Sequence, residues 1–230
     1  MQAGTASSGK DTWGDLVDAA TVLASHSQRR ILGITGPPGA GKSVLAQRLT
    51  DLLVLRGHRV ALAAMDGFHL ANAELARLGR TDRKGAPDTF DASGYLSLLA
   101  RLRPSERGGT DQSRPDEDVV YAPIFDRAIE AAIGGAVAIG PDVKLVITEG
   151  NYLLHQDGPW SATAALLDEC WYVELDERLR TERLIARHIQ FGRSRKDAVD
   201  RAQGSDLRNA RLVARTKSRA SRIVTVPDLP

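Results

Sequence analysis

Residues 36–43 read Gly-Pro-Pro-Gly-Ala-Gly-Lys-Ser, an order suited to holding a run of phosphates. Glycines at 36, 39 and 41 let the backbone turn tightly and aim its N–H groups at phosphate oxygens. A helix beginning directly afterwards adds the positive end of its dipole. Lys42 reaches the β- and γ-phosphates, and the Ser43 hydroxyl is a hard oxygen ligand for Mg²⁺, an ion that keeps several of its waters. The expected nucleotide-binding set is therefore Gly36, Pro37, Pro38, Gly39, Ala40, Gly41, Lys42, Ser43 and the following Val44.

A phosphate loop implies a bound nucleotide but not its fate, which the remaining acids and bases must decide. Asp66 ends an apolar run in Met65-Asp66-Gly67-Phe68-His69-Leu70. Alone it reads as a turn aspartate before glycine. Beside a phosphate loop it reads as a carboxylate that orients an acceptor hydroxyl and takes its proton during attack on a γ-phosphate. Glu149 closes a second apolar run, 144–148, and can reach the magnesium shell through water; Ser43 and Glu149 form the expected metal set. Between Asp176 and Gln190, Arg180, Arg183 and Arg187 recur at steps of three and four and share one helix face. Such groups suit a migrating phosphoryl. Arg187 and the loop residue Arg193 are the expected phosphate contacts; surface pairing with Glu177 and Glu182 is the other reading of this helix. Asp66, Lys42 and Arg187 form the expected catalytic group.

These side chains need strands that end where they begin. Strands are predicted at 30–35, 60–65, 144–148 and 170–175, and helices at 12–29, 42–55, 161–167 and 176–190. The alternation predicts an α/β, three-layer fold with a mostly parallel sheet and a small helical lid near 180–200. On the lid helix Leu175, Leu179, Ala186 and Ile189 form an apolar face for docking, and Ser205–Ala210 reads as an N-cap and first turn. Two polar stretches interrupt the alternation: 79–91, expected to be functional, and 105–118, expected to be mobile. Residues 1–12 are expected to be a flexible N-terminus and 13–230 a single domain.

Composition narrows the function classes. With 42% apolar and 26% charged residues the chain suits an ordinary globular protein. The 31 basic and 29 acidic side chains nearly cancel, so no global field calls for nucleic acid or an anionic membrane as partner. The single Cys170 forms no internal disulfide and reads as a buried thiol. No apolar stretch reaches bilayer length, so a cytoplasmic protein is expected. An N-K-x-D guanine-reading motif is absent, since 216–219 read Thr-Lys-Ser-Arg.

The ordered set of phosphate loop, MDGFH (65–69), RKGAPDTFD (83–91), YAPIFDR (121–127), ITEGNYLL (147–154) and the arginine-rich late helix resembles the P-loop kinases grouped with uridine kinase, phosphoribulokinase and bacterial-type pantothenate kinase. Within that group the chain is similar to bacterial proteins known as nucleoside/nucleotide kinase-like or fructose-transport-system kinases. The resemblance spans roughly 28–225. It implies transfer of the γ-phosphoryl of ATP, with Mg²⁺, to a hydroxyl of a nucleoside, sugar or pantothenate-like small molecule, and dimerisation by family habit. It implies that Asp66 is the base, that Lys42, Ser43 and Glu149 serve phosphate and metal, and that Lys84, Asp88, Phe90, Tyr121, Asp126 and Tyr152 line or order the acceptor pocket. His69 either bonds the acceptor or is structural, Arg183 joins the phosphate contacts, and Asn209 lies near the nucleotide base. Gly67 stands where uridine kinases tend to have Ser, and the chain is shorter than pantothenate kinases. The rival readings are a regulatory ATP-binding protein with slow hydrolysis and a transport accessory.

Overall fold

The structure, a computed structural model, describes residues 11–104 and 119–226. The stretch 105–118 and residues 1–10 lie outside the described residues. Asp11 and Thr12 are tied down: Asp11 pairs with Arg222 at 2.7 Å, and Thr12 caps the first helix in a reciprocal box with Asp15.

The chain runs α1 (Trp13–Ala24), β1 (Arg30–Thr35), α2 (Lys42–Leu55), β2 (Val60–Leu62), α3 (Asn72–Arg77), α4 (Ala92–Leu102), β3 (Val120–Asp126), β4 (Ala131–Ile139), β5 (Leu145–Glu149), β6 (Glu169–Glu174), α5 (Glu177–Gln190), α6 (Arg195–Arg201), α7 (Leu207–Ala214) and β7 (Arg222–Thr225). Five strands form one parallel sheet in the order β2-β5-β1-β6-β7. Strand period two divides the core between its faces. Leu32, Ile34, Leu145, Ile147, Trp171 and Val173 pack with Leu16 of α1 and Leu45 and Leu49 of α2. Ile31, Val146, Cys170 and Tyr172 pack with Tyr95 and Leu99 of α4. Every residue of β5 is buried, as a strand covered on both faces requires. This is the expected three-layer α/β fold.

Several elements depart from the sequence reading. The strand expected over 60–65 stops at Leu62, and Met65–Phe68 form a 3-10 turn instead. That turn lies against β3 so closely that a Cβ on Gly67 would stand 2.5 Å from the Pro123 carbonyl oxygen. The helix expected at 161–167 is a 3-10 run over Gly158–Leu166. Ser205 and Asp206 do not cap α7: a π-type turn, Ala202–Asp206, carries the helical path through from α6, and Asp206 is itself helical (φ −67°, ψ −38°). Of the four residues expected to form the docking face of the lid helix, Leu175, just before α5, packs against the core, but the other three do not. Leu179 and Ile189 are exposed, as is Ala186, while Arg180 and Leu184 are buried, because this helix covers the phosphate loop and a polar cavity rather than the apolar core. The antiparallel pair β3–β4 has no counterpart in the sequence reading. Most of β4 is exposed on both faces, so it carries no alternating pattern.

Candidate active site

The carboxyl ends of the parallel strands deliver the site, where an α/β sheet leaves a crevice. After β1 the chain turns through Gly36–Gly41 into α2. Gly39 takes φ +82°, and a Cβ there would lie 2.8 Å from Leu184 Cγ and 3.0 Å from the Arg180 carbonyl oxygen, so α5 is packed onto the loop as only glycine permits. Arg180 reinforces that contact by donating from Nη1 to the Pro38 carbonyl at 3.2 Å.

Lys42 is buried and donates from Nζ to the Pro37 carbonyl at 3.1 Å. Burial pushes its pKa down to about 8, opposed by the charges of Glu149 and Asp66. Ser43 donates from Oγ to Glu149 Oε1 at 2.9 Å. Burial, and next the nearby Asp66 charge, hold the Glu149 carboxyl above the usual carboxylate range. Asp66 accepts from Arg127 Nη2 at 3.2 Å. The His69 ring is held structurally, with Nδ1 2.8 Å from the Asp66 carbonyl oxygen and the ring between Phe90 and Phe125, at centroid distances of 4.0 and 4.6 Å.

One cavity of about 250 Å³ joins these groups. Of the residues expected in the site, Pro38, Gly39, Lys42, Ser43, Asp66, His69, Lys84, Phe90, Glu149, Arg187, Arg193 and Asn209 line it. Lys84 donates to Asn72 Oδ1 and to the Glu130 carbonyl, both at 2.8 Å, and its ammonium lies 5.1 Å from the centre of the Phe125 ring. Asn209 donates to the Gly85 carbonyl at 3.1 Å, and the buried Tyr152 hydroxyl donates to the same oxygen at 2.5 Å. Both therefore fix the 84–85 segment. Burial lowers the Arg187 pKa from the ordinary arginine value, with the Arg127 charge adding to the effect.

Other expected residues do not line the cavity. Asp88 faces a separate groove and is held by Arg83 Nη2 at 2.9 Å. Tyr121 is exposed on β3, and Asp126 accepts the Ala128 N–H within the β3–β4 turn. Val44 is exposed. Arg183 is exposed beside Gly41, where a Cβ would lie 3.8 Å from its Nη1. Several lining residues escaped the sequence reading: Phe125, Arg127, Glu130, Asn151, His188, Arg201 and Asp206. Arg127 was within reach, since it ends the YAPIFDR segment. His188 and Asp206, joined at 2.7 Å, come from separate helical elements and gave no local signal.

A family model described as methylmalonyl-CoA mutase-associated GTPase MeaB matches residues 8–70, a little over a quarter of the chain, centred on the phosphate loop. A Schizosaccharomyces pombe protein provisionally assigned as a uridine kinase is 31% identical over 210 residues, spanning 88% of this chain and 85% of its own length. The crystal structure of a provisionally assigned fructose-transport-system kinase from Silicibacter sp. TM1040 superimposes with a TM-score of 0.78 at 35% identity, covering 92% of this chain and 98% of that one. Pantothenate kinase of Mycolicibacterium gilvum is 30% identical over 146 residues, 63% of this chain and 43% of its own length. With relatives of that identity and span, the chain belongs to the P-loop kinases grouped with uridine kinase, phosphoribulokinase and pantothenate kinase.

Proposed function

We propose that this P-loop kinase transfers the γ-phosphoryl of MgATP to a hydroxyl group of a small metabolite of the nucleoside, sugar or pantothenate class. The observation that carries the reading is the meeting, in one cavity, of a phosphate loop with Lys42 and a carboxylate, Asp66, in the turn that follows β2. In this reading the loop N–H groups and Lys42 hold the phosphates, and Arg187 and Arg193 approach from α5 and the turn after it. Asp66 takes the proton of the acceptor hydroxyl as that oxygen attacks phosphorus. Arg127, on one of its oxygens, keeps the carboxylate oriented.

The residues present fit magnesium. Ser43 Oγ and Glu149 are hard oxygen donors 2.9 Å apart, and burial together with the nearby Asp66 charge leaves the Glu149 carboxylate under-compensated despite Lys42 and Arg127, so a cation would be favoured beside it. Ser43 would hold the ion directly and Glu149 through its water shell. Bound there, it would supply charge neutralisation between the phosphates.

The test is ADP formation from MgATP across nucleosides, pantothenate, sugars and glycerate, with Lys42→Ala protein as blank. One acceptor should raise turnover well above background. Asp66→Asn should cut that stimulated rate by about 10²–10⁴ while leaving ATP affinity nearly intact. Equal rates in the Asn variant would remove the base assignment, and no stimulation by any acceptor would favour the regulatory reading.

A further inference from the structure

The cavity holds more positive charge than the phosphates and Asp66 need. Lys42, Arg187 and Arg193 are assigned above to the phosphate side. Of the other cations that line it, Arg127 is committed to Asp66, and Lys84 to Asn72 and Glu130. Arg201, the last residue of α6, differs. Its one side-chain hydrogen bond among the described residues runs from Nη2 to the Lys84 carbonyl at 2.8 Å. The two carboxylates whose charge reaches it, Asp206 and Glu130, are engaged elsewhere, with His188 at 2.7 Å and with Lys84 at 3.4 Å. Burial, and then the Arg193 charge, lower its pKa from the ordinary arginine value. A half-buried guanidinium with no carboxylate in salt-bridge contact among the described residues is unfavourable until an anion meets it.

Its position is fixed. Ser194 caps α6 by accepting the Asp197 N–H at 3.1 Å, and the segment that Arg201 grips, Lys84–Gly85, is held also by Tyr152 and Asn209. The guanidinium is thereby anchored at the backbone of the residue whose ammonium lies over Phe125.

We infer that Arg201, supported by Lys84, forms a subsite for a second, anionic group on the acceptor, so that the hydroxyl to be phosphorylated belongs to a molecule also carrying a carboxylate or a phosphate. The fork of a guanidinium matches either oxyanion with two parallel hydrogen bonds. A neutral sugar or nucleoside offers no charge to answer it. The inference rests on the phosphotransferase reading above and narrows its acceptor class.

The experiment uses chemically matched sets at saturating MgATP: glycerol, glycerate and glycerol phosphate, and a free pentose with its phosphate. In at least one set the charged member should exceed the neutral one in kcat/KM by about 100-fold, an ion-paired contact's worth. Comparing glycerate with glycerol phosphate decides between carboxylate and phosphate. Arg201→Gln should raise KM for the charged acceptor about tenfold or more with a smaller effect on kcat, and Arg201→Lys should recover part of the loss. Equal use of neutral and charged members overturns the subsite, as does a rise confined to KM for ATP. If nothing is phosphorylated, the phosphotransferase reading fails and the subsite is judged by calorimetry of the same compounds on protein loaded with Mg²⁺ and a non-hydrolysable ATP analogue. Binding of charged members alone, lost in Arg201→Gln, upholds it; no such binding overturns it.

Discussion

Replacing Lys42 with methionine should stabilise the nucleotide-free protein at neutral pH while destroying ATP binding. The Lys42 ammonium is buried, and its pKa falls from 10.5 to about 8. A lowered folded-state pKa on a cation means that the fold resists the charged form. Between pH 8 and 10.5 the unfolded chain binds more protons than the folded one, so this group's contribution to stability improves as pH rises through that window. Below pH 8 the whole penalty is present, about 3 kcal/mol at 1.36 kcal/mol per pKa unit. Methionine keeps the apolar stem and removes the charge. Against that gain stand the lost hydrogen bond to Pro37, about 1 kcal/mol, and the lost positive neighbour of Glu149, which that carboxyl can offset by taking up a proton. The net expectation at pH 7 is about 1–2 kcal/mol of added stability, or roughly 3–5 °C in Tm for a chain of this size. Urea denaturation of both proteins at pH 7 and pH 10 measures it, and the gap should close or reverse at pH 10, where folded Lys42 is already neutral. A variant less stable at pH 7, or a gap of constant size across that range, would refute the reasoning. Adding MgATP should stabilise only the wild-type protein.

Two glycines test how closely the site's walls are packed. Gly67→Ser would drive a Cβ to 2.5 Å from the Pro123 carbonyl oxygen and 2.7 Å from its carbon, backbone atoms that move only with β3; a loss of about 2–3 kcal/mol is expected by chemical denaturation. Because β3 and its turn carry Phe125 and Arg127, acceptor kcat/KM should fall further than ATP affinity, and a change under about 0.5 kcal/mol would show that the hairpin yields freely. Gly39→Ala combines a left-handed backbone at φ +82° with the Leu184 contact at 2.8 Å, and should weaken ATP binding about tenfold or more in a titration. Unchanged affinity would mean that α5 does not press on the loop.

The sequence alone determined the parts of this protein written in neighbouring residues. The phosphate loop is eight consecutive positions, and its flanking strand and helix follow from apolar runs buried on both sheet faces. Asp66 and Glu149 were legible because each ends such a run, where a parallel sheet opens its crevice. Local periodicity also misled. On α5 the apolar residues Leu179 and Ile189 suggested a docking face, yet the helix turns Arg180 and Leu184 inward, since its neighbour is a phosphate loop whose carbonyls need donors. The β3–β4 pair was silent because most of β4 is exposed on both faces, which erases the alternation that reveals a strand. That pair and its turn bring Phe125, Arg127 and Glu130 to the cavity, and α6 brings Arg201. Those positions lie roughly 40 to 135 residues from Asp66 and Lys84 in the chain, with no shared spacing between them. Only tertiary packing decides that they face one another, because a cation's partner is set by distance and burial in three dimensions, neither of which a residue's neighbours in sequence encode.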